Sequence, residues 1–403
     1  MTHHPNAPRT VARGWAVVLM LAAWQALPPV LGCAPGGGDA VEAGPAQATL
    51  AAIGPSVITP ELDQLRAEVT ALRAAAAAWA SGDPSDDAAL QAARDAWTTV
   101  MARWQRLEVM QIGPAGSSLS VAGGEDLRDL IYAWPSENRC RVDQETVNQA
   151  WADPAWFDTA LVSVQGLTAL EAVLFADPAS NGCPAHTEPN ASGAWAALGD
   201  DGVLALRAGF AVALTDRLDA VVAQLAKAWA ADGGDFGARL ALGDGSPYTG
   251  EAQALQAVYD ALFYLETSTK DRKLARPLGL PPCTTEACLD GVESPLAARS
   301  HAWIAENLGG FRALYTGGDG PGLDDLLVDL GHADLADDFA AALDAADLAA
   351  ANLDRPLEIA VGEDRAQVEA AHAAIKALTD LVKLDLTTVL QVTVPAEAAG
   401  DND

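Results

Sequence analysis

The sequence has few basic residues and few aromatic residues for its length. Its 403 residues include 24 Lys and Arg against 55 Asp and Glu, which gives a formal net charge of −31. Such an acidic surface repels phosphate backbones, so the composition argues against nucleic acid as a partner. Aromatic residues make up only 6% of the chain. Together with the heavy use of alanine, this favours packed helices over an all-β fold.

Several chemical motifs are also missing. The chain has no Gly-rich phosphate loop, no Gly-x-Ser-x-Gly elbow and no His-Glu-x-x-His zinc-peptidase motif. The histidines beyond the first 32 residues do not pair at helical spacing, and an isolated histidine is more often structural than a ligand; they are His186, His301, His332 and His372. Half of the residues are nevertheless hydrophobic, which is too many for a disordered chain.

The N-terminus has the pattern of an export signal. Arg9 and Arg13 precede an apolar stretch at residues 15–27, which is too short for a dedicated transmembrane helix. Gly32 and Cys33 follow, as in a bacterial lipobox, so residues 1–32 are predicted to be a lipoprotein signal peptide and Cys33 the lipidated residue. The alternative is an ordinary signal peptide with a chance cysteine. Ala34, rather than Asp, after the cysteine predicts the outer membrane, facing the periplasm.

The segment after Cys33 is rich in Gly, Ala and Pro, and residues 33–58 are predicted to be a flexible tether between membrane and domain. Removal of residues 1–32, which hold two Arg and no acidic residue, leaves a mature chain with a net charge of −33. No other stretch of about twenty apolar residues occurs, so the remainder is expected to be soluble.

Four cysteines remain in the mature chain besides Cys33, and an even number in an exported protein suggests two disulfides. The favoured pairs are Cys283–Cys288, a tight clasp, and Cys140–Cys183. The second pair would close a long loop and contribute about 4 kcal/mol in the chain-entropy model. A zinc site is the weaker alternative, because no Cys-x-x-Cys pair occurs and no histidine stands at ligand spacing beside these cysteines.

Hydrophobic residues recur at intervals of three and four through most of the mature chain, as in Leu62, Leu65, Val69 and Leu72. This periodicity predicts an all-α fold with two helical bundles, each similar to a four-helix bundle, at residues 59–190 and 200–395. The loop-rich segment 177–200 is the predicted boundary. Individual helices are expected at 154–176, 203–230, 251–270, 296–316, 334–352 and 364–391.

Short segments spread over nearly all of the mature chain occur in an order known from one family; they are residues 93–97, 104–108, 131–135, 165–175, 270–278, 293–294 and 306–310. They resemble the imelysin family of bacterial envelope proteins. The resemblance implies two packed helical bundles, an exported or lipid-anchored location and a link to iron uptake. It also implies iron or another divalent metal as a cofactor, since some members have been described as insulin-cleaving metallopeptidases.

One position departs from the family pattern. Its Gly-x-His-x-x-Glu signature falls on residues 166–171, where Thr168 stands in place of the histidine while Glu171 is kept. Residues at i and i+3 share a helix face and can hold one ion, but a neutral hydroxyl is a poor substitute for imidazole. Glu171 alone is therefore a weak metal ligand, and both metal binding and peptidase activity are disfavoured.

The resemblance also marks Glu108, Arg272, Glu293 and Ser294 as ligand-binding candidates beside Thr168 and Glu171. Each has a simpler interpretation: Glu108 as a solvated helix end, Arg272 as part of a solvated charged turn, and Glu293 with Ser294 as helix-capping residues. For Glu171 the simpler interpretation is a buried ion pair, for example with Arg272 or Arg139.

Three functions remain open at this stage. The first is a non-enzymatic, lipid-anchored envelope protein that binds a ligand or a partner protein, within iron uptake. The second is a metallopeptidase of the imelysin type, against which Thr168 argues. The third is a structural or interaction module whose acidic surface binds cationic partners loosely.

Overall fold

A computed structural model describes residues 44–396 and residue 398. The predicted signal peptide and lipidation site, including Cys33, lie outside the described residues. Over the described residues every regular element is a helix and no strand occurs, which confirms the predicted all-α fold. No helix in this part of the chain is both long enough and apolar enough to cross a membrane.

The α-helices are numbered here in chain order. They are α1 Gln47–Ala52, α2 Thr59–Ser81, α3 Asp87–Glu108, α4 Leu127–Ile131, α5 Arg139–Asn148, α6 Gly166–Phe175, α7 Ala194–Trp229, α8 Phe236–Leu240, α9 Glu251–Leu262, α10 Ser300–Thr316, α11 Leu323–Asp329, α12 Ala333–Ala351, α13 Leu357–Glu363, α14 Arg365–Leu381 and α15 Thr387–Leu390. Three π-helical segments span Ile53–Ile58, Leu265–Ala275 and Val382–Leu386. Short 3₁₀ turns lie at Gly113–Ala115, Ala150–Ala152, Pro154–Asp158, Val162–Val164 and Leu289–Gly291.

The core forms where the periodic apolar faces meet. Helix α2 packs between α3 and α7, and α3 in turn packs on α10 from the second half of the chain. The periodic residues of α2 are all buried, as the spacing predicts: Leu62, Leu65, Val69, Leu72, Ala76 and Trp79. Residues Gly44–Asp403 form one compact unit. The division into bundles at residues 59–190 and 200–395 stays a prediction.

Residues 47–58 correct the tether prediction. They form α1 and a π-helical segment instead of a flexible linker, and Leu50, Ile53, Val57 and Ile58 are buried in the core. These four side chains already show helical spacing in the sequence, and they are apolar enough to fold the segment onto the domain despite its Gly and Pro content.

A second correction concerns the helix predicted for residues 154–176. The chain makes two 3₁₀ turns there, Pro154–Asp158 and Val162–Val164, and α6 begins only at Gly166. Gly166 has a φ of +62°, and a Cβ on it would lie 2.3 Å from the carbonyl oxygen of Ile131. A glycine is therefore required at the start of α6, because any larger residue would be both strained and blocked.

Both predicted disulfides are present in the structure. Cys140 at the start of α5 is bonded to Cys183, and Cys283 is bonded to Cys288. The first ties α5 to the loop before α7, and the second closes the loop that follows the long π-helical segment. Both hold irregular chain in place beside the candidate site described next.

Candidate functional site

The candidate site is built around Lys273, which lies on the π-helical segment Leu265–Ala275. Stretches of π-helix are rare and occur frequently at functional sites. Although lysine is almost never fully buried without a partner, Lys273 is 1% exposed. Its burial therefore requires compensating groups around the ammonium.

Three oxygen atoms surround that ammonium. Lys273 Nζ donates to Gln105 Oε1 at 2.5 Å and to Asn307 Oδ1 at 2.9 Å, and it lies 2.9 Å from Glu293 Oε2. The rings of Trp134 and Tyr264 each have their centroid 5.5 Å from Nζ. This combination of carboxylate, amide oxygens and aromatic faces is a cation-binding cage, and the protein's own lysine fills it.

The cage residues also satisfy one another. Glu293 Oε1 accepts from Gln105 Nε2 at 2.8 Å and from the Tyr132 hydroxyl at 2.9 Å. Asn307 Nδ2 donates to the backbone carbonyl and to the side-chain oxygen of Gln105, both at 2.8 Å. Burial raises the pKa of Glu293, and Lys273 partly offsets that effect. Helix α3, the loop before α10, α10 itself and the π-helical segment are thereby joined by one network.

Glu108 extends the network towards the surface. It ends α3 but is fully buried, so the interpretation as a solvated helix end is wrong. Arg128 from α4 donates to Glu108 Oε1 through Nε at 3.1 Å and Nη2 at 2.5 Å, and to the carbonyl of Trp134 at 2.7 Å. Burial disfavours the charge on Arg128, but the Glu108 carboxylate outweighs this and raises the pKa of Arg128.

Thr168 and Glu171 both lie on α6, which Trp97 anchors by donating to the carbonyl of Leu167 at 3.0 Å. Thr168 is buried, and its hydroxyl accepts the backbone N–H of Ala133 at 3.0 Å. The threonine therefore has a structural hydrogen bond of its own in the place where the family motif has histidine.

Glu171 contacts backbone rather than a cation. Its Oε1 accepts the N–H groups of Leu296 and Ala297, both at 3.0 Å, so the expected ion pair with Arg272 or Arg139 is wrong. Burial raises the pKa of Glu171 to about 8, although the two backbone hydrogen bonds act in the opposite direction. Glu171 thereby connects α6 to the loop that carries Glu293.

Glu293 and Ser294 do not cap a helix, so the capping interpretation is also wrong. The next helix, α10, begins only at Ser300, and both residues are 1% exposed. Ser294 has a φ of +50°, a left-handed conformation that a serine adopts at a cost. The turn at Ser294 lies between the cage residue Glu293 and the backbone groups that Glu171 binds.

Arg272 behaves differently from its neighbour Lys273. It is exposed and lines a cleft of about 520 Å³ between the 111–129 segment, α9 and the π-helical segment. Arg128 and Tyr264 line the same cleft, which therefore reaches the edge of the network. The structure thus brings Glu108 and Glu293 into one network, connects Glu171 and Ser294 to it through the loop, and leaves Arg272 at its mouth.

Sequence reasoning missed the centre of the site. Lys273, Gln105 and Asn307 all lie in segments that carry the family resemblance, yet the charged run around Lys273 was interpreted as a solvated turn. An α-helical periodicity cannot place the residues of a π-helix, because the extra residue per turn changes which side chains face inward. Within the described residues, no group of three or more His, Cys, Asp and Glu side chains is arranged to hold a metal ion.

Comparisons with known proteins agree with this geometry. The family model for imelysin, also called peptidase M75, matches residues 58–384. The chain therefore belongs to the imelysin family, as the sequence resemblance predicts. No curated protein matches the chain significantly.

Two solved structures share the fold. An imelysin-like protein from Psychrobacter arcticum superimposes with a TM-score of 0.64 at 19% identity, covering 88% of this chain and 98% of that one. A protein described as an iron-regulated protein A precursor, from Parabacteroides distasonis, gives a TM-score of 0.63 at 16% identity and covers 86% and 94%. At such low identity the likeness establishes the shared fold alone.

Proposed function

We propose that this protein is a lipid-anchored, non-enzymatic member of the imelysin family that binds a ligand or a partner protein during iron uptake in the cell envelope. The anchor is Cys33 and the location is the periplasmic face of the outer membrane. The binding region is the network around Lys273 together with the cleft beside it.

The observation that carries the proposal is the ammonium of Lys273 inside an oxygen cage. Gln105, Asn307 and Glu293 place their oxygens within 2.5 to 2.9 Å of Nζ. A metal ion could enter this cage only by displacing the lysine, which has no other route to solvent at 1% exposure. The site therefore keeps the charge balance of a cation site without a free cation.

The metallopeptidase function is disfavoured by the same residues. A catalytic metal needs about three protein ligands and one open position for water. Thr168 is engaged with the backbone of Ala133, and Glu171 is engaged with the backbone of Leu296 and Ala297. Neither side chain is oriented by a second protein group as a metal ligand would be.

Metal titration separates these functions. Calorimetry with ferrous iron under anoxic conditions and with zinc, at neutral pH, should give only weak, salt-sensitive heats from the acidic surface. The protein should also leave the insulin B chain uncleaved. Stoichiometric binding that Glu171→Ala abolishes, or cleavage that a chelator stops, would overturn the non-enzymatic proposal.

The anchor and the iron link need tests in cells. In a bacterium that processes lipoproteins, the wild type should fractionate with membranes and take up labelled fatty acid, whereas Cys33→Ser should do neither. Unchanged labelling of Cys33→Ser would refute the anchor. In the native host, deletion of the gene should slow growth only when iron is limiting, and equal growth under iron limitation would refute the iron link.

A further inference from the structure

The cleft beside the network holds hydrogen-bond donors that the protein leaves unused. Its volume of about 520 Å³ is in the range of small-molecule sites, roughly 300–1,000 Å³. Tyr248 and Tyr264 both line it and are only 6% and 7% exposed. Neither hydroxyl has a hydrogen-bond partner among the described residues. A buried hydroxyl without a partner is costly, so two in one cleft indicate that something else binds there.

Both hydroxyls act as donors at neutral pH. Burial raises the pKa of Tyr248 to about 12, and burial together with the charges of Glu108 and Glu293 raises the pKa of Tyr264 well above its usual value. Each phenol therefore keeps its proton and can donate it to an acceptor oxygen of a ligand.

Arg272 supplies a third unused donor, and a charged one. It lines the cleft, is exposed, and forms no ion pair with any described residue. The acidic groups of the cleft already have partners inside the protein: Asp129 binds Arg128 at 2.9 Å, Asp126 accepts the backbone N–H of Ser118 at 2.8 Å, and Asp260 accepts from Gln256 at 2.6 Å. The unmet capacity of the cleft is thus for an anion.

We propose that this cleft binds a small organic anion, with its carboxylate or phosphate at Arg272 and its other acceptor oxygens at Tyr264 and Tyr248. The proposal deepens the proposed function by giving the chemical class of its ligand. The net charge of −31 repels anions at long range. Affinity must therefore come from direct contact with Arg272 and the two hydroxyls.

Binding can be measured by calorimetry of the purified mature domain in 0.15 M salt. The probes are succinate, citrate, benzoate and glycerol 3-phosphate, with succinamide as the uncharged analogue. At least one anion should bind at one per chain, and succinamide should not. Arg272→Gln should weaken binding about tenfold, since a charge-assisted hydrogen bond is lost. Tyr264→Phe and Tyr248→Phe should each weaken it several-fold.

Arg276→Gln is the matched control. Arg276 is an exposed arginine four residues further on, close to Asp290 at 3.7 Å, and does not line the cleft. It should leave binding unchanged, because only the overall charge is altered. Thermal melts should show all four variants folded; Phe at position 264 keeps the aromatic face that Lys273 approaches.

Two results would overturn the proposal. One is no binding by any of the four anions at 10 mM, and the other is an equal loss of affinity in Arg272→Gln and Arg276→Gln. If phosphate binds and no carboxylate does, the ligand class narrows to phosphate esters. These results are separate from the proposed function as a whole, because growth under iron limitation and fatty-acid labelling of Cys33 do not depend on this cleft.

Discussion

Two buried glutamates of the site, Glu171 and Glu293, solve the same electrostatic problem in different ways. Glu293 is 1% exposed and has the ammonium of Lys273 at 2.9 Å together with two hydrogen-bond donors. Glu171 is 5% exposed and has only two backbone N–H groups. Burial raises the pKa of both groups, and that of Glu171 reaches about 8.

This difference bears on metal binding. At neutral pH the charge of Glu293 is balanced by a lysine, whereas Glu171, with a pKa of about 8, is balanced mostly by a proton. A metal ion needs deprotonated carboxylates that are free to coordinate it. Neither glutamate offers one, so the loss of the motif histidine at Thr168 fits a site whose two acidic groups are already neutralised.

The largest effect is expected from Lys273→Met. The change leaves Glu293 buried without its cation, and removing one member of a buried pair costs about 3–5 kcal/mol of unfolding free energy. Chemical denaturation at pH 7 measures the loss. Lys273→Met combined with Glu293→Gln should recover part of it, because no uncompensated charge remains.

Lys376→Met is the control for this comparison. Lys376 pairs with Asp380 one helical turn away and is 30% exposed at its side chain, so its loss should cost about 0.5 kcal/mol or less. A similar small cost for Lys273→Met would mean that water enters the cage and that the ammonium is not its central charge.

The next largest effect concerns the pH dependence that Glu171 causes. The pKa of a glutamate in the unfolded chain is about 4.3, and in the folded protein that of Glu171 is about 8. Between these pH values the folded state holds a proton that the unfolded state has released, so stability falls as pH rises. Glu171→Gln removes this slope, and its unfolding free energy should gain about 2–4 kcal/mol on the wild type between pH 5 and pH 8.5.

Denaturation curves at these two pH values test the prediction, with Glu369→Gln as the control. Glu369 pairs with Arg365 and its side chain is 56% exposed, so the control should follow the wild type. If Glu171→Gln also follows the wild type, Glu171 is ionised throughout and its two N–H partners are sufficient compensation.

The sequence predicts the fold well because its main signal is periodic. The apolar stripe of α2 and the even number of cysteines each leave one reasonable structure, and both predictions are confirmed. Periodicity is less informative where composition or helix type changes. The Gly- and Pro-containing segment at residues 47–58 hides four core residues, and the π-helical segment moves Lys273 inward.

The repeated Leu-x-x-Leu-Glu pattern shows why local sequence could not give the site. It occurs at Glu171 and again at Glu266, and both glutamates are buried. Glu266 is paired with Lys270 at 3.3 Å and with Lys383, which arrives from the last π-helical segment. Glu171 has backbone partners from the 296–297 loop. Long-range contacts, which no local pattern contains, therefore decide the chemistry of each carboxylate.

The smallest effect on stability, and the sharpest test of the comparison, comes from Thr168. Thr168→Val leaves the buried N–H of Ala133 without its acceptor and should cost about 1–2 kcal/mol, whereas Thr168→Ser should cost less. Thr168→His restores an imidazole on the same helix face as Glu171, so calorimetry should show tighter zinc binding than in the wild type. The gain should be larger at pH 8.5 than at pH 7, because Glu171 loses its proton in this range. It should vanish in Thr168→His with Glu171→Ala. Tight stoichiometric binding by the wild type, abolished by Glu171→Ala, would show that Glu171 is a working ligand despite its burial. Equal weak binding by every variant would instead mean that Glu171 only holds the 296–297 loop.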